Sequence, residues 1–261
     1  MGVLNVTPDS FSDGGKFNET DAALTHIEQM IARGAKIIDV GGESTRPGSD
    51  PVTEEEELAR VIPILEKAVA EFNETFFSID TTKYRVAEET LKQGVHLVND
   101  ISGLQQEPRL ADLCAQYNAG YILMHSQGNP KTMQDDPYYD DVVEDIHTFF
   151  RQQLELAHSR GLETIILDPG IGFGKTQEHN LRLLRNLDRF LDLGYPLMVG
   201  VSRKSMVGKL LNDRPVDDRL AGTIAIHYHS MMKGAKIIRV HDVKEASDSV
   251  LVYNTLANYE F

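Results

Sequence analysis

Polar side chains that end short apolar runs are the residues of this sequence best placed to carry chemistry. Asp80, Asn99 and Asp168 each lie at or near the end of such a run, and their carboxylate and amide groups combine hydrogen-bond acceptors with donors. This set suits the edge of a flat, nitrogen-rich heterocycle, because a carboxylate can bind a guanidine-like edge through two parallel hydrogen bonds. The same carboxylates would stabilise positive charge that develops on the ring.

Cationic residues are concentrated late in the chain. Ser202 and Lys204 lie at the end of one apolar run, while Arg239 and His241 are separated by one residue in the last run, so a strand would project both to the same side. We expect the segment 202–205 to lead into a helix whose first N–H groups point at an anion. These residues predict a phosphate-binding region; the alternative is that Arg203 or Lys204 only contacts solvent.

Asn5 lies in the first apolar run, just ahead of a segment that contains Pro8 and several Asp, Ser and Gly residues. That segment is expected to be a loop, because these residue types favour turns. An Asn near the end of a buried strand needs a hydrogen-bond partner. Two interpretations remain open: Asn5 caps a turn, or it contacts a ligand or an ion.

Eight apolar runs must position these residues, and the segments between them have helical features. The runs are 3–6, 36–40, 76–80, 96–101, 121–125, 164–168, 197–202 and 236–241. Short runs of Val, Ile and Leu are typical of buried parallel strands. Thr53 and Glu56 predict a capping box at the start of one helix. Glycines expected just after helix ends are Gly34, Gly94, Gly161, Gly194 and Gly234.

Helical periodicity is clearest in three segments. Their predicted apolar faces contain Leu58, Val61, Ile62, Leu65, Val69 and Phe72 in the first, Val142, Val143, Ile146, Phe149, Phe150, Leu154 and Ala157 in the second, and Leu181, Leu184, Leu187 and Leu191 in the third. Alternating strands and helices predict a single α/β domain over residues 1–261, a (β/α)₈ TIM barrel, with a doubly wound open sheet as the alternative. A TIM barrel has its active site at the C-terminal ends of the strands, where the candidate residues lie.

The composition narrows the class of protein. The 261 residues carry a formal net charge of −14, which argues against nucleic acid or an anionic membrane as the main partner. Cys114 is the only cysteine; no intrachain disulfide can form, a buried inert thiol is predicted, and a cytoplasmic location is expected. No run approaches the roughly 18 apolar residues of a membrane span, and no secretory signal is expected.

Two further patterns suggest sites and are rejected. Gly174, Lys175 and Thr176 resemble the end of a phosphate-binding P-loop, but the first glycine of that motif would fall on Pro169. His227 and His229 would face apart on a helix, so they are not predicted to form a zinc pair.

Six motifs together resemble the dihydropteroate synthase family of bacterial folate synthesis. They are NVTPDSFSDGG (residues 5–15), DVGGESTRPG (39–48), NDI (99–101), DPGIGFGK (168–175), SRKS (202–205) and RVH (239–241). The first two are highly specific, and the resemblance spans essentially the whole chain in the expected order. It implies a TIM barrel that pairs as a homodimer through its late helices.

The resemblance also implies a reaction and a set of site residues. The family joins 4-aminobenzoate to 6-hydroxymethyl-7,8-dihydropterin diphosphate and releases diphosphate, with Mg²⁺ as cofactor. The implied pterin-binding residues are Asp80, Asn99, Asp168 and Lys204; those for the diphosphate are Arg239, His241, Thr45 and Asn5, with Asn5 also binding Mg²⁺. Ser202 is a further expected substrate-binding residue. Mobile loops over the second substrate would contain Phe11, Asp13, Arg46 and Pro47, and the implied catalytic residues are Asp80, Asp168, Lys204, Asp13 and Arg46.

The chemistry predicted from the residues agrees with this implied reaction. Loss of diphosphate would leave a cationic methylene on the pterin, which Asp80 and Asp168 could stabilise while the aromatic amine attacks. We therefore expect a dissociative, SN1-like substitution with no covalent enzyme intermediate. Phe11 and Pro47 are the ordinary residues of their loops, so sulfonamide sensitivity is expected.

Two expectations separate this interpretation from its alternatives, and a third concerns the start of the chain. A pterin-binding methyltransferase barrel that uses methyltetrahydrofolate and a corrinoid protein would share Asp80, Asn99 and Asp168 but would have little use for Mg²⁺ or the late cations. A catalytically silent pterin-binding module would not need Asp13 and Arg46. Family members generally have a short segment ahead of the first strand, so we expect either a trimmed sequence or a differently closed barrel floor.

Overall fold

The computed structural model describes residues 1–6, 16–44, 49–128 and 136–257. Its strands are β1 (Gly2–Asn5), β2 (Ile37–Gly41), β3 (Phe76–Asp80), β4 (Leu97–Asp100), β5 (Gly120–Met124), β6 (Ile165–Asp168), β7 (Met198–Val199) and β8 (Ile237–Ile238). Its α-helices are α1 (Lys16–Ala32), α2 (Glu54–Glu71), α3 (Tyr84–Lys92), α4 (Arg109–Tyr117), α5 (Val142–Ser159), α6 (Gln177–Arg185), α7 (Ser205–Leu210), α8 (Leu220–Met232) and α9 (Val243–Ala257). Two 3₁₀ helices cover Leu187–Leu193 and Val216–Asp218.

The strands form a closed parallel ring. Strands β1 to β6 pair in sequence order, and β7 pairs with β8. A parallel bridge between Leu167 and Leu197 joins β6 to the β7 segment, and one between Gly2 and Val240 joins the β8 segment back to β1. The Val3 N–H donates to the Val240 carbonyl at 3.0 Å across this second junction. The predicted (β/α)₈ barrel is therefore confirmed, and the open sheet is excluded.

The last two strands are much shorter than the sequence predicts, whereas the predicted run 76–80 matches β3 at both ends. Predicted runs 197–202 and 236–241 contain ladders of only two residues each. After β7, the Val201 N–H lies 3.4 Å from Nε2 of the buried His227 instead of pairing with a strand. After β8, the Arg239 N–H still donates to the Val199 carbonyl at 3.0 Å and Val240 forms the isolated bridge to Gly2, so the chain becomes a loop only beyond these contacts.

The barrel interior changes from apolar to polar along the strand direction. Its lower part is an apolar cluster formed by Leu97, Ile122, Ile166 and Met198, with Met1, Ile37 and Ile237 packed against it. Successive side chains on a strand point to opposite faces, so positions two residues apart share a face. Two positions beyond Ile37, Leu97, Ile166 and Ile237 are Asp39, Asn99, Asp168 and Arg239. The strand period therefore places a polar layer above the apolar floor.

Most of the predicted helical features are present. The Thr53–Glu56 capping box forms at the start of α2, and α5 buries all its predicted apolar positions except Phe149, which is partly buried. All five predicted helix-end glycines have positive φ angles between 79° and 100°. The buried Cys114 lies in α4. None of the described helices is long and apolar enough to cross a membrane.

The third predicted apolar face is wrong in part. Helix α6 ends at Arg185, and the chain continues as the 3₁₀ helix Leu187–Leu193. Leu184 and Leu187 are buried, but Leu181 and Leu191 are each 40% exposed. Because the 3₁₀ helix has three residues per turn, the 3.6-residue period does not continue to Leu191.

Candidate active site

A guanidinium paired with two buried carboxylates lies at the centre of the polar layer. Arg239 donates from Nε to Oδ2 of Asp39 at 2.6 Å and from Nη2 to Oδ2 of Asp80 at 2.8 Å. Asn99 donates from Nδ2 to the same Asp39 oxygen at 3.0 Å. The side chain of Asp39 is fully buried, that of Asp80 is 7% exposed and that of Arg239 is 21% exposed. Strands β2, β3 and β4 and the segment after β8 thus contribute to one network.

The charges in this network shift the protonation of its members. Burial raises the pKa of Asp80 to about 7, with the Arg239 charge opposing and the Asp39 carboxylate adding to the rise. Burial alone would lower the pKa of Arg239, but the Asp39 and Asp80 carboxylates outweigh it and raise that pKa. A ligand that donates hydrogen bonds to Asp80 would therefore favour its ionised form near neutral pH.

Some polar atoms of the layer are buried without a hydrogen-bond partner among the described residues. They include Oδ1 of Asp39, Oδ1 of Asn99 and Oγ of Ser78. Leaving such an atom unpaired costs about 1 to 3 kcal/mol. Because Asn99 uses its amide hydrogens on Asp39, its free carbonyl oxygen is an acceptor that a bound donor could satisfy.

Asp168 lies in the same layer, beside the glycine-rich loop that follows β6. Its Oδ1 accepts from the Gly170 N–H at 2.7 Å. Burial raises the pKa of Asp168, and the charges of Lys204, Arg239 and Lys175 oppose that rise together with the Gly170 hydrogen bond. Arg239 and Asp168 are thus close enough to interact. The residues predicted to bind the heterocycle and those predicted to bind phosphate therefore face one barrel interior.

Lys204 extends from the segment after β7 toward this loop. Its ammonium donates to the Ile171 carbonyl and lies 4.5 Å from the centre of the Phe173 ring. Burial lowers the pKa of Lys204 to about 8, and the Asp168 carboxylate opposes this fall. The predicted choice between site and solvent is therefore resolved for Lys204, which lies against the site.

Arg203 points away from the polar layer and forms an ion pair instead of only contacting solvent. It adopts a left-handed φ of 58°, and its guanidinium makes a two-pronged ion pair with Asp242, at 2.9 Å for the Nε–Oδ2 contact. With 41% of its side chain exposed, Arg203 connects the loops after β7 and β8 at the surface. Helix α7 begins directly after Lys204, at Ser205.

Ser202 and His241 contact each other above the layer. The Ser202 hydroxyl oxygen accepts from the His241 N–H at 3.1 Å and lies 3.0 Å from Nδ1 of the same residue. Ser202 is buried, whereas His241 is exposed. An exposed imidazole beside a hydroxyl, at the open end of a parallel barrel, is suited to contact an anion from solvent.

Asn5 ends β1 at the edge of the polar layer. A Cβ atom placed on the neighbouring Gly41 would lie 3.9 Å from Oδ1 of Asn5 and 3.5 Å from Cβ of Asp80. Asn5 is half-buried and so remains accessible from the open end. No group of three or more His, Cys, Asp or Glu residues able to hold a metal ion is present in the described part of the chain.

The remaining predicted site residues are Phe11, Asp13, Thr45, Arg46 and Pro47, and they lie outside the described residues. Of the two histidines rejected as a zinc pair, His227 is buried and Nε2 of His229 lies 3.1 Å from the Leu184 carbonyl oxygen. Asp100, next to Asn99, points away from the layer and accepts from the Ser102 and Leu104 N–H groups. It is therefore a structural residue of the loop after β4.

The sequence analysis missed two polar residues of the site. Asp39 is two positions beyond Ile37 on β2, so the strand period could have identified it. Lys175 is only 2% exposed and donates to the Phe173 carbonyl at 2.9 Å. The only sequence feature that points to Lys175 is its position after a run of glycines, and that run does not match a P-loop.

Known proteins are similar to this chain over almost its full length. Residues 1–241 match the family described as pterin binding enzyme. The dihydropteroate synthase of Escherichia coli strain K12 is 50% identical over 254 residues, which cover 97% of this chain and 89% of that protein. The Yersinia pestis dihydropteroate synthase in a sulfonamide drug complex has a TM-score of 0.92 and 46% identity, covering 99% of this chain and 94% of that one. The Clostridium difficile dihydropteroate synthase, crystallised in the presence of pteroic acid, has a TM-score of 0.92 and 45% identity, with 99% and 96% covered.

Proposed function

Because this chain belongs to the dihydropteroate synthase family of pterin-binding enzymes, we propose that its polar barrel layer binds the dihydropterin ring of the substrate. The family consists of transferases of folate biosynthesis, and this chain is one of them. The observation that carries the residue assignment is the polar layer itself. Asp80, Asn99 and Asp168 share one barrel interior, and the buried Asn99 carbonyl oxygen has no hydrogen-bond partner among the residues that the structure describes.

In this proposal the pterin is held by its nitrogen-bearing edge. Asp168 accepts from the guanidine-like edge of the ring. Its Oδ1 already accepts from the Gly170 N–H, whereas its Oδ2 has no hydrogen bond to the described residues and interacts only with nearby charges. Asn99 accepts through its free Oδ1, and Asp80 accepts from a ring N–H. Lys204 donates to the ring from the opposite side, next to Phe173. Each of these hydrogen bonds to the ring replaces one that the protein group would otherwise make with water.

The diphosphate is proposed to lie above the ring, among the late cations. His241 and Ser202 contact it directly from the open end of the barrel, with Thr45 as a further ligand. Arg239 contributes positive charge from its place beside Asp39 and Asp80. As diphosphate leaves, these groups take up its charge, while Asp80 and Asp168 stabilise the cationic methylene that remains on the pterin.

Mg²⁺ is the proposed cofactor, with Asn5 as its protein ligand. An amide oxygen is a hard ligand of the kind that Mg²⁺ prefers. The described residues contain no carboxylate cage, which fits an ion that keeps several waters and is otherwise bound by substrate phosphates. When bound, Mg²⁺ would neutralise charge on the leaving diphosphate. The chain's own part is to hold this oxygen at the edge of the layer, beside Asp80.

The second substrate is proposed to be 4-aminobenzoate, which attacks the methylene in an SN1-like step. Phe11, Asp13, Arg46 and Pro47 are the loop residues assigned to it, and sulfonamides are expected to compete at the same place. If the step is dissociative, oxygen scrambling within unreacted dihydropterin diphosphate should occur before the amine is added. Absence of scrambling under conditions of full activity would count against it.

A homodimer in the cytoplasm is the proposed state of the protein. Late helices supply apolar side chains that a partner could cover: Met232 is 65% exposed, Leu251 67% and Leu256 65%. A single, buried cysteine is compatible with a reducing compartment. The methyltransferase and silent-module alternatives have no observation that favours them over the transferase.

Diphosphate release on mixing both substrates with Mg²⁺ is the experiment that tests the proposed function. We expect release with the wild-type chain and a loss of about 100-fold or more with Lys204→Ala, because a charge-bearing contact to the ring is removed. Lys209→Ala is the matched control and should retain activity, because Lys209 lies in α7, the helix that begins directly after Lys204, but outside the polar layer. Unchanged release in Lys204→Ala would overturn the assignment of this residue.

A further inference from the structure

A buried ammonium lies directly behind the glycine-rich loop that follows β6. Lys175 Nζ donates to the Phe173 carbonyl at 2.9 Å and to the His125 carbonyl at 3.3 Å, and it lies 3.0 Å from Nδ1 of His125. An ammonium group has three hydrogens to donate, and these three acceptors match them. Lys175 is 2% exposed, so its amine lies inside the protein. When protonated, it has a protein partner for each of its hydrogens, which offsets part of the cost of burying the charge.

The same ammonium lies close to the Asp168 carboxylate. Gly170 connects them: its N–H donates to Oδ1 of Asp168 at 2.7 Å, and a Cβ placed on Gly170 would lie 3.4 Å from Lys175 Nζ. Burial and the Lys204 charge lower the pKa of Lys175 well below its usual value, while the Asp168 carboxylate opposes this fall and favours the charged lysine. His125 is neutral in this environment, because burial and the Lys175 charge lower its pKa to about 2. The positive charge next to Asp168 on this side therefore comes from Lys175.

We propose that Lys175 is a positioning residue which keeps Asp168 ionised and oriented for the pterin. Its charge favours the carboxylate form, and its bonds to the carbonyls of Phe173 and His125 hold the loop whose Gly170 N–H orients that carboxylate. The other charged groups that face Asp168 are Lys204 and Arg239, and both lie on the substrate side. This inference rests on the assignment of Asp168 to the pterin made above.

The test measures binding of 6-hydroxymethylpterin, which has no phosphate to titrate, as a function of pH. Affinity should be full when Asp80 and Asp168 are both ionised and should fall as the pH drops through the pKa of each, that of Asp80 being raised to about 7; the fall that Asp168→Asn lacks belongs to Asp168 and is the one compared. In Lys175→Gln the charge is lost but two donors remain, so the pKa of Asp168 rises and the midpoint of the fall should move upward by about one pH unit. Lys175→Arg keeps a charge and should retain the wild-type midpoint.

Tyr139→Phe is the matched control for loop position alone. Tyr139 donates to the Gly174 carbonyl at 2.9 Å, so its loss loosens the same loop without changing charge. We expect weaker binding and an unchanged midpoint. An upward shift as large as that of Lys175→Gln would overturn the electrostatic role, and so would a wild-type midpoint in Lys175→Gln. If Lys175→Arg does not fold, the comparison of Lys175→Gln with Tyr139→Phe decides.

Asp168→Asn separates failure of this inference from failure of the proposed function. We expect it to bind the pterin at least tenfold more weakly and to keep only the acid fall that belongs to Asp80. If Asp168→Asn binds like wild type at every pH, the pterin assignment itself is wrong. If it binds poorly while Lys175→Gln keeps the wild-type profile, only the role of Lys175 is wrong.

Discussion

At the scale of single residues, the site depends on positions that only one residue type fits. Gly170 is the clearest example, with a φ of 66° and a hypothetical Cβ only 1.9 Å from the His125 carbonyl oxygen. No small adjustment could relieve this contact, because the atom it meets is backbone. The close approach brings the Gly170 N–H to Asp168 and leaves room for Lys175 behind it.

Gly170→Ala is therefore expected to move the loop and to lower kcat by about 100-fold, as a misplacement of about 1 Å can do. Steady-state kinetics and a thermal melt would measure the two effects. Gly194→Ala is the matched control, since Gly194 also has a positive φ, of 81°, but open space around its Cβ position. It should cost about 1 to 2 kcal/mol of stability and leave kcat unchanged. Equal kcat values in the two variants would contradict the argument.

At the scale of elements, a buried ion cluster connects the segment after β2 to α2 and α3. Lys83, just ahead of α3, donates to Oε2 of Glu57 on α2 at 2.6 Å and also to Glu43 after β2. The Glu57 side chain is fully buried, and burial raises its pKa while the Lys83 contacts oppose the rise. Arg60 of α2 also donates to the Gly42 carbonyl at 2.7 Å. The beginning of the loop after β2 is thus fixed by neighbouring helices.

Lys83→Met should destabilise the fold by about 3 to 5 kcal/mol, because it leaves a buried carboxylate without its cation. Denaturant unfolding would measure this loss. Without Lys83 the pKa of Glu57 rises further, and protonation removes the buried charge, so the loss should be smaller at pH 5 than at pH 8. Lys92→Met removes an exposed cation from the Glu88 and Glu89 pairs and should cost less than about 1 kcal/mol. A loss independent of pH would contradict the role of Glu57.

At the scale of the whole molecule, the proposed homodimer is expected to form through the exposed apolar residues of the last helices. Leu251→Glu would place a charge among the exposed apolar residues of the last helices, which also include Met232 and Leu256. Light scattering should then report a shift from dimer to monomer, because a buried unpaired charge is costly in an interface. Glu245→Gln, at the start of α9, is the control and should leave the mass unchanged. A monomeric wild-type chain would refute the dimer.

Several features of the fold and site could be predicted from the sequence because they depend on local periods. The period of two placed Asn99, Asp168 and Arg239 on strand ends, and the 3.6-residue period located α2 and α5. The length of β7 was not predictable, because His227, on a helix 26 residues further along the chain, takes the Val201 N–H. Lys175 was missed because its importance comes from burial next to His125, which is 50 residues away.

The sequence by itself determined the number and order of strand–helix units, the side of each strand that is polar, and the family. Apolar and polar residues alternate with a fixed period, and that local pattern can be recognised without knowing which residues are neighbours in the fold. Only the tertiary structure decided that Arg239 pairs with Asp39 and Asp80, which are 200 and 159 positions away. The physical reason is that closing the barrel brings the last strand beside the first, so contacts between them depend on the whole ring.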